Sequence, residues 1–73
     1  MISLSDVKKG KFKILNIGGG FGIKERLKEL GIVEGSVVKI LKNDFGPVVL
    51  EVRGGKVAIG RGQAKKIFGE VLE

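Results

Sequence analysis

Residues Gly18-Gly19-Gly20-Phe21-Gly22 constrain this chain more than any other stretch. Four glycines in five positions interrupt regular structure and then release the chain into Ile23-Lys24-Glu25-Arg26-Leu27-Lys28-Glu29-Leu30-Gly31. The second part reads as a short amphipathic helix, because Ile23, Leu27 and Leu30 recur at i, i+4 and i+7 and so share one side. Gly31 stands where a left-handed C′ glycine belongs, and Ile32 follows at the position that packs back on Leu27 in a Schellman ending. A glycine loop before a helix invites a phosphate reading. The residues argue against it. Gly22-Ile23-Lys24-Glu25 has neither the Gly-Lys pair nor the hydroxyl of a phosphate loop, and Ile23 sits where the third glycine of G-x-G-x-x-G would follow Gly18 and Gly20. The loop reads as a turn that needs positive φ and close backbone packing, with a weak anion site at the helix start as the lesser alternative.

Size and composition then limit the architecture. At 73 residues the chain approaches the lower limit at which one core holds a fold without staples, and it has no cysteine to cross-link. Its 13 glycines favour tight turns over long helices. No apolar run nears the ~20 residues needed to span a bilayer. Met1-Ile2-Ser3-Leu4-Ser5-Asp6 lacks the basic-then-apolar order of a secretory signal, so a cytoplasmic location is expected. Fourteen basic residues against eight acidic ones give a net charge of +6, which would attract nucleic acid or an anionic membrane face. The lysines are scattered along the sequence, and Phe12, Phe21, Phe45 and Phe68 are its only aromatics, a poor supply for base stacking.

The missing residues narrow the chemistry. Without His or Cys there is no imidazole or thiolate ligand, no Ser-His or Cys-His nucleophile pair and no near-neutral proton shuttle. A carboxylate dyad is the remaining route to acid–base work. Asp6, Glu25, Glu29, Glu34, Asp44, Glu51, Glu70 and Glu73 fall mostly in segments that read as solvated, and Arg26 and Lys28 adjoin Glu25 and Glu29 on the helix. The expectation is a protein that is not an enzyme, with no cofactor and no metal site.

Along the chain, Ser3-Leu4-Ser5-Asp6 resembles a capping box for one helical turn, with Gly10 as its left-handed end. Lys11–Ile17 is predicted as a half-buried strand with Phe12, Ile14 and Ile17 inward. Glu34-Gly35 reads as a turn, Ser36–Lys42 as a strand and Asn43–Pro47 as a loop. Val48–Arg53 and Lys56–Ile59 form a hairpin across a Gly54-Gly55 turn. Gly62–Ile67 is a second helical turn, and Phe68–Leu72 a last strand. About five strands with one short α-helix after the first predict a mainly β fold, a small closed or partly open barrel.

Taken in order, these residues resemble the FeoA family of small SH3-like barrels. The resemblance runs nearly end to end, over one domain spanning residues 1–73. It rests on Leu4 to Gly10, the Ile14…Ile17 strand, the glycine loop, Gly46-Pro47, Val52 to Gly54 and Ala64…Ile67. Its strongest part is Arg26-Leu27-x-x-Leu30-Gly31-x-x-x-Gly35, whose leucines are expected to fill the barrel mouth. The structural motif positions are thus Gly10, Leu27, Leu30, Gly31, Gly35, Gly46, Pro47 and Ala64. Two departures stand out. Glu34 replaces the proline common before the glycine, which should loosen that turn slightly, and Ile59-Gly60-Arg61-Gly62 is richer in glycine than the usual ending. The module also resembles the C-terminal domain of some iron-dependent repressors.

The resemblance implies a cytoplasmic accessory protein of ferrous-iron uptake, binding no cofactor and acting through contact with FeoB, the permease that carries a GTP-binding domain. The membrane would be met only through that partner. Phe21, Lys24, Arg26 and Lys28 surround the helix and form the candidate contact face. Each has a plainer reading: Phe21 as a buried plug, the Arg26 stem as a cover for the barrel end, the lysines as a solvated stripe. Phe45 in the Asp44–Pro47 loop is the fallback contact. The alternative function is a small basic barrel that binds RNA or DNA non-specifically, and self-association into a homo-oligomer is compatible with either.

Overall fold

The computed structural model describes residues 1–72; Glu73 lies outside the described residues. Six strands form one antiparallel sheet: β1 (Ile2–Ser3), β2 (Gly10–Ile17), β3 (Val37–Lys42), β4 (Val48–Val52), β5 (Gly55–Ile59) and β6 (Ile67–Val71). Helix α1 (Phe21–Glu29) joins β2 to β3, and the single turn α2 (Arg61–Ala64) joins β5 to β6. Their order is β1-β6-β2-β3-β4-β5. The fold is mainly β, a small SH3-like barrel as predicted, with a two-residue strand β1 added to the five expected.

Alternation builds the core. Phe12 and Ile14 point inward from β2, Val38 and Ile40 from β3, Val48, Leu50 and Val52 from β4, and Leu27, Ile32 and Ile59 join them. Ile17 would point outward by strict period two. An irregularity in the β2–β6 register between Ile14 and Asn16 turns it back into the core and leaves Leu15 and Asn16 outside. Gly69 makes the central pairing possible. It is flanked by Ile14 on β2 and Ile2 on β1, and a Cβ there would collide with the Lys13 carbonyl and stand 2.9 Å from the Phe12 ring.

The edge strands β1 and β5 do not pair with each other. Side chains bridge the seam instead. Asn43, only 5% exposed, donates from Nδ2 to the carbonyls of Ser5 (2.9 Å) and Val7 (2.7 Å). Its Oδ1 accepts from Arg61 at 2.6 Å, and the same guanidinium nitrogen donates to the Asp44 carbonyl at 2.9 Å. Ser3 Oγ donates to the Ala64 carbonyl at 3.1 Å. The N-terminal turn, the β3–β4 loop and α2 are thereby locked together, so the glycine-rich stretch around Arg61 is an anchored corner.

Several expectations are corrected. The N-terminal turn is a short 3₁₀ segment (Leu4–Asp6), capped by Ser3 Oγ accepting from the Ser5 N–H; it ends at Val7, and Gly10 opens β2 instead. The β4–β5 turn is Arg53-Gly54, with φ of 52° and 83°, and Gly55 already pairs with Val52. Burying Val52 fixes that register, and it pushes the turn one residue back onto an arginine in the left-handed region. Leu30, expected beside Leu27 in the barrel mouth, is 41% exposed; the chain reverses at Gly31, and Ile32 takes the buried place.

Candidate functional site

The glycine loop is a structural device. Gly18 N–H donates to the Lys66 carbonyl at 2.7 Å, and Gly19 and Gly20 have positive φ, with Ile23 packed too close to Gly19 for a Cβ. Helix α1 starts at Gly20 without a side-chain cap. It ends in the predicted Schellman motif: the Ile32 N–H donates to the Leu27 carbonyl and the Gly31 N–H to that of Lys28, both at 2.9 Å. Gly31 has φ of 88°, and a Cβ there would lie 3.1 Å from Val52. Both ends of α1 are thus fixed on the barrel, and its outward side chains have a defined position.

At about 100° per residue, Phe21, Lys24, Glu25 and Lys28 share the outward face, opposite buried Leu27 and half-buried Ile23. Phe21 is 78% exposed, a knob rather than a plug. Arg26 is exposed but turns roughly half way round the helix from Lys24, so the four candidates form a triad and a flank rather than one patch.

Beside the triad lies an open cleft of about 180 Å³, lined by Ile17, Lys24, Glu25, Lys28, Val33 and Glu34 above the buried Ile32. Glu34 organises it. One carboxylate oxygen accepts from the Ile17 N–H at 3.0 Å and lies 3.5 Å from Lys24 Nζ. The Ile17 hydrogen bond first, and the Lys24 charge second, hold this carboxyl below the usual carboxylate range. Glu34 therefore ties its turn to β2 where a looser turn was expected, and the Ser36 hydroxyl donating to the Val33 carbonyl at 2.6 Å closes it. Sequence reasoning treated Glu34 only as a missing proline; the lysine ten residues earlier was the available clue.

The cleft is small beside the ~300–1,000 Å³ of ordinary cofactor and ligand pockets. Among the described residues no three carboxylates cluster to hold a metal ion, and no helix is long and apolar enough to cross a membrane. What the site offers, among the described residues, is an exposed ring, a lysine outside any salt bridge at Lys28 and a lysine–carboxylate pair, held on a rigid helix.

Such a barrel, with its one long helix carried outside the sheet between β2 and β3, defines a small SH3-like module. Residues 2–71 match the FeoA domain, and the chain belongs to that family. It is 40% identical, over its whole length and 90% of the relative's, to a protein of Methanocaldococcus jannaschii whose name assigns it provisionally as Fe(2+) transport protein A. A crystal structure of an iron uptake regulatory protein, FeoA, superposes with a TM-score of 0.89 at 30% identity, covering 97% of this chain and 96% of that one. The zinc-bound protein ScaR contains the same fold: 99% of this chain matches 37% of that longer one at a TM-score of 0.91 and 23% identity.

Proposed function

We propose that this chain is a cytoplasmic accessory protein of ferrous-iron uptake that works by docking on the permease FeoB, with the outward face of α1 as the contact. The observation that carries the reading is Phe21: a phenylalanine 78% exposed at the first position of a helix fixed at both ends. Large rings held rigidly at a surface are the usual anchors of protein interfaces. Lys28 and the Lys24–Glu34 pair frame it, and steer a partner surface of complementary charge. The family membership and the ferrous-transport name of the Methanocaldococcus relative supply the pathway.

Interferometry between this chain and the full-length permease tests the reading. Phe21→Ala should weaken binding about 30-fold, as for an anchor contributing ~2 kcal/mol. Lys28→Glu should slow association with little change in dissociation. Arg26→Glu, on the flank, should do less than either. Unaltered kinetics in Phe21→Ala and Lys28→Glu would remove α1 as the contact, and absence of wild-type binding in every nucleotide state would remove the docking role.

A further inference from the structure

The fold gathers lysines that are scattered in sequence. Lys11 on β2 stands directly opposite Lys39 on β3, both on the outer face, an arrangement that destabilises a sheet. Lys8 and Lys9 precede β2 and Lys42 closes β3, all exposed. Among the described residues the sole ion pair is Lys24–Glu34, so none of these five lysines is in a salt bridge there. Among the described residues Asp6 and Asp44 are the acids of the two loops at this end, and Glu51 on β4 stands opposite Lys39, the only one of the five it faces. The Asn43 amide ties the start of the β3–β4 loop to the Ser5 and Val7 carbonyls, and so fixes that loop on the segment that leads directly into Lys8 and Lys9. At the loop tip Phe45 is 91% exposed, on a loop that Asn43 and Arg61 hold in place.

We propose that this end of the barrel binds an anionic phospholipid surface, with Phe45 entering the boundary between headgroups and acyl chains and Lys8, Lys9 and Lys42 meeting lipid phosphates. Excess lysine around one projecting ring is the pattern that holds a protein on an anionic bilayer by combined charge and apolar insertion. A nucleic acid fits less well, because bases need neighbouring rings to stack on. Phe12 is buried, Phe68 half-buried, and Phe21 lies at the other end of the β2–β3 pair. This surface is separate from α1, so the membrane is met directly as well as through a partner.

Flotation with phosphatidylcholine vesicles, with and without added phosphatidylglycerol, tests it. The wild type should float with the anionic vesicles, not the neutral ones, and progressively less as salt rises. Lysines near a charged membrane surface each change binding about fivefold, so Lys8→Gln with Lys9→Gln should weaken it by roughly 25-fold. Phe45→Ser should cost about tenfold. Urea unfolding of these surface variants should match the wild type. The chain has no tryptophan, so Phe45→Trp gives a clean probe whose emission should shift to the blue on anionic vesicles alone. No flotation, equal flotation with neutral vesicles, variants that bind like the wild type, an unshifted tryptophan, or tighter binding to a single-stranded oligonucleotide would each overturn the proposal.

Discussion

Asn43→Ala should be among the most damaging single changes outside the apolar core. The wild-type side chain is nearly fully buried and fills three hydrogen-bond roles, two as donor to the Ser5 and Val7 carbonyls and one as acceptor from Arg61. Each neutral bond contributes about 1 kcal/mol, and the bond from the charged guanidinium about 1.5–3 kcal/mol. Allowing for water reaching the half-covered Ser5 carbonyl, the net loss is about 3 kcal/mol. A domain of this length has roughly 4–11 kcal/mol in all. The midpoint of thermal unfolding should therefore fall by ~12–24 °C, at about 4–8 °C per kcal/mol. Urea unfolding followed by circular dichroism should give the same loss through a lower midpoint, with the slope unchanged. Arg61→Met should cost less, since the Asn43 donors keep their carbonyls, and the double variant should cost less than the sum. A loss below about 1 kcal/mol for Asn43→Ala, or strict additivity with Arg61→Met, would refute the view that these residues hold the seam as one network.

Gly69→Ala drives a methyl group into the Lys13 carbonyl at the β2–β6 pairing, so soluble expression and thermal unfolding should show severe loss of the native state. Arg53→Asn relieves a left-handed arginine and installs the Asn-Gly turn preferred in such hairpins, raising stability by about 0.5–1 kcal/mol in urea titration. The Glu34 carboxyl titrates lower in the folded chain than in the unfolded one, so its contribution is present above about pH 4.3 and fades as pH falls through the folded value. Thermal unfolding across that acid range should show this fall, and Glu34→Gln should flatten that part of the curve; an unchanged profile would discount the Ile17 contact.

Much of the barrel was legible because local chemistry and tertiary need agree. The Schellman glycine, the β-branched strands and the alternating Phe12 and Ile14 say the same thing at short and long range. Where they conflict, the sequence misleads. A Gly-Gly dipeptide announces a turn, yet packing of Val52 moves it to Arg53-Gly54. Helical spacing places Leu30 with Leu27, but the reversal at Gly31 hands the buried place to Ile32. Asn43 and Gly69 were invisible for a different reason. Their roles depend on residues 36 and 38 positions away in one case, and 56 positions away in the other, distances over which sequence pattern carries no signal. In the candidate site the helix, its exposed charges and the placing of Arg26 on the far side could be read from the helical period, while the Glu34 tie required the turn of α1 over the sheet.

The unpaired margins of β1 and β5 give the barrel a clasp in place of a weld. A continuous ladder would have to be broken strand by strand, whereas this joint is held by an asparagine, an arginine and a serine that can each be exchanged singly. The ease with which the wall parts is thus adjustable at three side chains, leaving the backbone ladder of the other strands untouched.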